Sequence, residues 1–187
     1  MADWKATVIK GHINLDFLTD DMLSDIIFTE HTDTNRANGY WAEQGITPPD
    51  YPADAAWVHQ VFGSNAPAWA HQIGDMFDWL QLKQVTINKL TPGTFIHPHV
   101  DSMYRLRQAM DNMPATDQNL VAVRINIFLT DHKIGHWLNI ENHSFDKYNK
   151  GDYTFILPGQ LHAVANIGYE SRFTLQVTGL AKDTDII

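Results

Sequence analysis

From Gln84 onward the chain is a succession of short runs rich in β-branched and aromatic residues. Seven such runs occur: QVTINKL, TFIHPHV, VAVRINIFLT, HWLNIEN, DYTFILP, HAVANIG and RFTLQVTG. Turn-forming sequences such as TPG, NKGD and PGQ separate them. Short strands at close spacing, joined by turns, are typical of an antiparallel sandwich or barrel. The sequence therefore predicts a mainly β core over residues 84–180.

The part of the chain before this core has a helical or irregular texture. In FLTDDMLSDIIFTEH, Thr19 is placed to cap a short helix whose apolar residues recur at helical spacing. The same periodicity predicts two further helices, over residues 53–62 and 66–82. The stretch that precedes them is dense in Gly, Pro, Asn and Asp and is predicted to be a long loop. Its segment NGYWAEQGITPPDY, residues 38–51, is a candidate lid over a substrate.

Length and composition limit the class of protein. A chain of 187 residues, 44% of them hydrophobic, suits one domain, with residues 1–83 as its N-terminal part and 84–180 as its core. The net charge of −9 disfavours nucleic acid and anionic membranes as partners. Without a membrane-length apolar run or a signal-peptide core, a soluble cytoplasmic protein is expected. The absence of cysteine excludes disulfides and thiolate sites, which leaves ten histidines as the soft metal ligands.

One segment of the β core, FIHPHVDS, concentrates histidine and aspartate. If the strand stays extended, His97, His99 and Asp101 all point to one side of it. Two imidazoles and one carboxylate form a set that binds one face of Fe(II) and leaves open positions for other ligands. His162, which follows a Pro-Gly turn in LPGQLHAVANIG, is the preferred second imidazole. The sequence predicts a metal site made of His99, Asp101 and His162.

An arginine lies ten residues after His162, in the apolar run SRFTLQVTG. A charged side chain in such a run is costly unless it is paired with an anion. The guanidinium of Arg172 can bind a carboxylate with two parallel hydrogen bonds, which suits an organic-acid cosubstrate near the metal. The alternation of Arg172, Thr174 and Gln176 also fits a polar strand face turned to solvent, or a face that lines the barrel interior around the site.

With this combination of residues the sequence resembles the Fe(II)- and 2-oxoglutarate-dependent oxygenases, which carry His-x-Asp, a distant His, and an Arg or Lys further on. The match covers residues 84–179. LTPGTFIHPHVDS, GDYTFILPGQLHAVANIG and SRFTLQVTG are most similar to small bacterial and phage-type members, including relatives of aspartyl/asparaginyl β-hydroxylases. The resemblance implies a double-stranded β-helix, a cupin-like jelly roll. It assigns iron to His99, Asp101 and His162, and the distal carboxylate of 2-oxoglutarate to Arg172.

The resemblance also implies the activity. Such enzymes use Fe(II), 2-oxoglutarate and O2, release succinate, and usually hydroxylate an unactivated C–H bond. We therefore expect an enzyme, a dioxygenase that acts on an amino-acid or peptide side chain or on a small molecule.

Further residues are candidates for supporting roles. Arg124 is a second candidate for a cosubstrate carboxylate, and Asn166 could hydrogen-bond the cosubstrate or a ligand. His136 and Trp137 fall where relatives carry a Gly-His pair on a central strand. Four more residues are candidates for the surroundings of the metal or for substrate contacts: His97, Ser102, Tyr104 and Arg105.

Two alternatives remain open at the level of sequence. In a cupin-type metalloenzyme that does not use 2-oxoglutarate, His97, His99 and His162 are the ligands, because HPH is a His-x-His pair. Pro98 lacks an N–H and can bend the segment, so either Asp101 or His97 could reach the metal. In a non-catalytic β-sandwich binding protein, the same histidines only pack and form hydrogen bonds.

Overall fold

The computed structural model describes residues 9–33, 45, 57–101, 103, 106, 108, 111 and 120–186. The elements whose bounds are defined are eleven strands, two α-helices and two 3₁₀ turns. In chain order they are β1 Gly11–His12, α1 Asp20–Ser24, β2 Glu30–Asp33, β3 Trp57–Phe62, a 3₁₀ turn Gly63–Asn65, α2 Ala68–Asp75, β4 Gln81–Leu90, β5 Thr94–Val100, β6 Leu120–Phe128, β7 His136–Ile140, β8 His143–Phe145, β9 Asp152–Ile156, β10 Leu161–Asn166, β11 Arg172–Lys182 and a 3₁₀ turn Asp183–Asp185. Within the described residues, none of the helices has the length and apolar character needed to cross a membrane.

The strands form two antiparallel sheets. One has seven strands in the order β1-β9-β6-β11-β4-β3-β2, and the other has four in the order β5-β10-β7-β8. From β4 to β11 the pairing is nested: β4 pairs with β11, β5 with β10, β6 with β9 and β7 with β8. A long antiparallel hairpin wound into a helix gives this order, and the fold is therefore a double-stranded β-helix, as expected.

The seven-stranded sheet buries both of its faces. On one face, odd-numbered residues of β6 and β11 such as Ile125, Ile127 and Leu175 pack with Leu23 of α1 and Ile73 of α2. This alternation follows from the two-residue period of a strand. The other face lies against the four-stranded sheet.

The space between the sheets is filled at one level by apolar side chains from both of them. Phe128, Leu138, Ile140, Ile156 and Val164 belong to this cluster. Side chains on even-numbered positions of β6 and β11 therefore point into the interior of the barrel. The candidate functional residues are found on these same faces.

The N-terminal part is less helical than the sequence predicts. Thr19 caps α1 as expected, since its Oγ1 accepts a hydrogen bond from the N–H of Met22 at 3.2 Å. The helix predicted over residues 66–82 is confirmed only as Ala68–Asp75. The helix predicted over 53–62 is wrong where the chain is described, because β3 occupies Trp57–Phe62 and pairs with β4. Pairing with the edge of β4 outweighs a weak helical period.

Candidate metal centre

Three potential metal ligands converge between the sheets. His99 near the end of β5 and His162 near the start of β10 are direct cross-strand partners, and Asp101 follows β5 immediately. One ligand atom from each residue lies within 4.8 Å of the others. The Nε2 atom of His99 is 3.7 Å from Oδ1 of Asp101, and Nε2 of His162 is 3.4 Å from Oδ2 of Asp101. The structure thus brings together the three residues that the sequence singles out.

A β-bulge in β5 determines which side chains reach this cluster. The two strands are in register at His162–His99 and again at Val164–Ile96. Between these pairs β5 contains two residues, His97 and Pro98, where β10 contains one. The extra residue interrupts the alternation of side chains, so that Ile96 and His99 both line the cavity although they are three positions apart.

The bulge turns His97 away from the cluster. The ring of His97 makes an edge contact with Phe95, with 4.9 Å between ring centroids, and the residue is buried. The predicted common face for His97, His99 and Asp101 is therefore wrong. Since His97 does not reach the cluster, the structure does not assemble the His-His-His set of the cupin-type alternative.

The two imidazoles are held in the tautomer that metal binding requires. His99 donates a hydrogen bond from Nδ1 to the carbonyl oxygen of His97 at 2.7 Å. His162 donates from Nδ1 to the carbonyl oxygen of Gln160 at 3.0 Å. With the proton on Nδ1, each ring offers its Nε2 lone pair to the space beside Asp101. The main chain of His97 thus orients a ligand even though its side chain does not.

Arg124 of β6 lies against the same carboxylate. Its Nη1 donates a hydrogen bond to Oδ2 of Asp101, and its Nε donates to Oγ1 of Thr178 on β11 at 3.2 Å. Arg124 and Thr178 are cross-strand partners, so the sheet holds the guanidinium in place. Two of its donating nitrogens are therefore engaged by the protein itself, and the structure places Arg124 on Asp101, not on an open carboxylate site.

The electrostatics of the cluster favour a charged carboxylate at Asp101 and a neutral imidazole at His162. Burial acts to raise the pKa of Asp101, but Arg124 and the two histidines together hold it below its ordinary value. Burial lowers the pKa of His162 to about 4, although the charge of Asp101 opposes this shift. A carboxylate with two neutral imidazoles is the protonation state in which all three groups can bind a metal.

The cluster lines a cavity of about 250 Å³ between the two sheets. Apolar side chains form part of its wall: Val58, Ile96, Leu138, Ile156 and Val164. Uncharged polar side chains form another part: Gln60, Thr86, Asn88, Asn126 and Gln176. Among the lining residues that the structure describes, Asp101 and Arg124 carry the formal charges, and these cancel.

Arg172 lies inside the barrel but outside this lining. It is only 2% exposed, at the start of β11, on the same face as Gln176 and Thr178. Its guanidinium is 5.6 Å from the ring centroid of Phe128. Among the described residues, its Nε and Nη2 atoms find no hydrogen-bond partner. The alternative of a solvent-facing arginine is therefore wrong.

Asn166 is fully engaged by the main chain. Its Nδ2 donates to the carbonyl oxygens of Leu90 at 2.9 Å and Glu170 at 2.8 Å, and its Oδ1 accepts from the N–H of Gly168 at 3.1 Å. These bonds hold the turn between β10 and β11. The structure therefore places Asn166 at the end of β10, bonded to the turn that leads to β11, and not in the cavity lining.

His136 and Trp137 also lie outside the cavity lining. His136 is buried and donates from Nε2 to the carbonyl oxygen of Glu170 at 3.0 Å, while the hydroxyl of Tyr148 lies 3.5 Å from its Nδ1. Trp137 is 39% exposed, and its Nε1 donates to Oγ of Ser144 at 3.3 Å. His136 thus supports the turn that leads to Arg172, whereas Trp137 belongs to the outer face of the four-stranded sheet.

Some predicted residues lie outside the described part of the chain. Ser102, Tyr104 and Arg105, the candidates for substrate contacts just after Asp101, are among them. So is the candidate lid, residues 38–51, except for Gly45.

Sequence reasoning missed most of the polar wall of the cavity. Gln60, Thr86 and Asn88 come from β3 and β4 of the seven-stranded sheet. For Gln176 a signal was available, the two-residue alternation that relates it to Arg172 along β11. No sequence pattern pointed to Gln60 of β3, because residues 57–62 were predicted to be helical.

Comparisons with known proteins found likeness only at the level of structure. No protein-family model and no curated protein matches this chain. A Pseudomonas putida prolyl-4-hydroxylase matches with 16% identity and a TM-score of 0.44, over 79% of this chain and 83% of that chain. A cupin 2 conserved barrel domain protein from Salinispora arenicola matches with 13% identity and a TM-score of 0.39, over 75% and 91%.

A third similar structure, a predicted oxalate decarboxylase from Thermotoga maritima, has 16% identity and a TM-score of 0.39, over 66% of this chain and 81% of that chain. At such values these likenesses say nothing about activity. The nested strand pairing and the His-Asp-His cluster are features of this structure itself and do not depend on the comparisons. They define a double-stranded β-helix with a cluster that could hold a metal ion.

Proposed function

We propose that this protein is a non-haem Fe(II) oxygenase that uses 2-oxoglutarate as cosubstrate and hydroxylates an amino-acid or peptide side chain or a small molecule. The observation that carries the proposal is the pairing of two features inside one barrel. His99, Asp101 and His162 form a two-imidazole, one-carboxylate cluster. Arg172 is a buried guanidinium with two nitrogens that have no partner among the described residues.

The donor set of the cluster fits ferrous iron. Both imidazoles present Nε2 toward one carboxylate, and main-chain carbonyls fix their tautomers. Two histidines and one carboxylate occupy one face of the metal and leave positions open, which is the arrangement of non-haem Fe(II) oxygenases. When bound, Fe(II) supplies the chemistry that couples reduction of O2 to oxidation of the keto acid and of the substrate.

The charge distribution favours an anionic organic ligand. Asp101 and Arg124 neutralise each other in the cavity wall. Arg172 adds a buried positive charge that no carboxylate of the described residues pairs with. A buried cation without an anion is costly, so a site of this kind is expected to bind a carboxylate of a ligand. A dicarboxylic keto acid can place one end at the metal and the other on Arg172.

The chain's own residues then have distinct roles. His99, Asp101 and His162 would hold the metal, and Arg124 keeps the carboxylate of Asp101 charged and oriented. Arg172 would bind the distal carboxylate. The five apolar side chains of the wall would exclude water from the reacting end of the ligand.

Binding measurements test this proposal in two stages. Metal-free protein is titrated calorimetrically with Mn(II), a redox-silent substitute, and then with 2-oxoglutarate. The wild type should bind one equivalent of each. His99→Ala, Asp101→Ala and His162→Ala should lose Mn(II) binding, while His143→Ala, an exposed histidine of β8, serves as the matched control.

Arg172→Gln should bind Mn(II) like the wild type but bind 2-oxoglutarate at least tenfold more weakly, because it loses a charge-assisted pair. Turnover is tested separately with Fe(II) and O2, by formation of succinate. Retention of Mn(II) binding by all three ligand variants would refute the metal centre. A wild type that binds Mn(II) but neither binds 2-oxoglutarate nor forms succinate would refute the cosubstrate.

A further inference from the structure

One polar side chain in the cavity wall lacks a partner. Asn126 of β6 is 3% exposed and lines the cavity that contains the metal cluster. Its Nδ2 has no hydrogen-bond partner among the described residues. Two other amides of the wall bond to each other, since Gln60 donates from Nε2 to Oδ1 of Asn88 at 2.7 Å. Leaving a buried amide N–H unbonded costs free energy, so a donor in this position is expected to meet an acceptor that the cavity takes up.

The position of Asn126 identifies which part of a ligand it would meet. Along the inward face of β6, Arg124, Asn126 and Phe128 follow one another at two-residue steps, about 7 Å apart. Arg124 is bonded to the metal-ligand carboxylate of Asp101. Phe128 lies under the guanidinium of Arg172. Asn126 therefore stands between the metal cluster and the predicted carboxylate site.

We propose that Asn126 donates a hydrogen bond from Nδ2 to an oxygen at the metal-binding end of the keto acid, and so determines the specificity of the cosubstrate site. The inference rests on the proposed function, since it assumes that the keto acid spans the distance from the cluster to Arg172. The two unpaired nitrogens of Arg172, Nε and Nη2, would bind one carboxylate. The orphan N–H of Asn126 then requires a second, separate acceptor, which a keto acid with two carboxylates provides and a simple monocarboxylate on Arg172 does not.

The test compares Asn126→Leu with the wild type. Leucine has a similar shape without polar atoms, so replacing an unbonded amide should leave the melting temperature of the metal-free protein unchanged or raise it. The same variant should bind Mn(II) normally, and its Mn(II)-loaded form should bind 2-oxoglutarate about tenfold more weakly or worse, because a hydrogen bond to a charged acceptor is lost. Asn139→Leu, on β7, is the matched control, since Asn139 is not a lining residue of the cavity.

A second variant distinguishes a donor from an acceptor. Asn126→Asp has the same shape but only accepts hydrogen bonds, so it should weaken binding of 2-oxoglutarate further than leucine does. Binding by Asn126→Asp as tight as the wild type would overturn the donor role.

The remaining outcomes separate this inference from the proposed function. If wild-type protein binds 2-oxoglutarate and Asn126→Leu binds it equally well while losing metal-free stability, Asn126 is a structural residue and the inference is wrong. If the wild type binds Mn(II) but not 2-oxoglutarate, the cosubstrate assignment fails and this inference fails with it. Loss of Mn(II) binding by Asn126→Leu would also contradict a role confined to the cosubstrate.

Discussion

Arg124 donates a hydrogen bond from Nη1 to Oδ2 of Asp101, and this pair joins the seven-stranded sheet to the residue that follows β5. Both side chains are largely buried, with 20% of the arginine and 12% of the aspartate exposed. The carboxylate that is a candidate metal ligand is therefore charge-compensated and oriented by the protein before any metal binds. Thr178 fixes the guanidinium from the other side.

This pair predicts a measurable coupling in the metal-free protein. Arg124→Gln leaves the carboxylate of Asp101 largely buried without its cation and should lower the free energy of unfolding by about 2 kcal/mol. The double variant with Asp101→Asn should lose less than the sum of the two single variants, by ~1 kcal/mol or more. Urea denaturation of the four proteins measures the coupling. Lys83→Gln, which breaks the pair with exposed Asp75, should change stability by less than about 0.5 kcal/mol. Strict additivity would show that the Arg124–Asp101 contact contributes nothing.

The β-bulge predicts which histidine of the HPH sequence matters for metal. His97→Asn should retain one equivalent of Mn(II) per chain, because the side chain of His97 is turned away from the cluster. His99→Asn should retain none, since it removes one of the three ligand atoms. Elemental analysis after dialysis measures both, and circular dichroism checks that each variant is folded. Loss of Mn(II) by both variants would support the His-His-His set of a cupin-type enzyme.

Much of the fold could be predicted from the sequence because strand alternation and turn residues are local signals. All seven predicted β runs coincide with strands, and Thr19 caps a helix as expected. The failure at Trp57–Phe62 has a physical cause: this segment becomes a strand only because the edge of β4 is available to it. Such a long-range pairing leaves no local trace in the sequence.

The candidate site, too, was only partly predictable from the sequence. Residue types, spacing and the family resemblance favoured His99, Asp101 and His162 but left His97 open as an alternative to Asp101, and the structure brings the favoured three together. The bulge at His97 and Pro98 could not be read from the sequence, because it depends on the register between β5 and β10. For Arg124, sequence alternation could place it on the inner face, but only the packing of the two sheets shows that it meets Asp101.

Gly135 lies against the turn that precedes Arg172, and replacing it should strongly destabilise the fold. This residue has a φ of +93°, and a Cβ atom on it would lie 2.3 Å from the main-chain nitrogen of Gly168. Its carbonyl oxygen also accepts the N–H of Ile167 at 2.9 Å. Gly135→Ala should therefore lower the unfolding free energy far more than Gly159→Ala, where φ is +86° and nothing lies within 4 Å. The control should cost about 1–2 kcal/mol from backbone strain alone. Equal losses in thermal and urea denaturation would show that the close approach of the two loops does not stabilise the fold.

The buried ring of His136 predicts how stability depends on pH. Burial lowers the pKa of His136 below its ordinary value of 6.5, the carbonyl of Glu170 opposes this shift, and the charges of Arg172 and His132 add to it. Below pH 6.5 the unfolded chain takes up a proton that the folded chain refuses until its own, lower pKa is reached. Stability from this group is therefore full above pH 6.5 and falls as the pH drops toward the folded pKa, by at most about 1.4 kcal/mol per pH unit.

His136→Gln, whose amide can still donate to Glu170, should flatten the curve of unfolding free energy against pH between 7.5 and 5. Urea denaturation of both metal-free proteins at several pH values measures the difference, in which the contribution of His162 cancels. Parallel curves would mean that His136 titrates alike in the folded and unfolded chains.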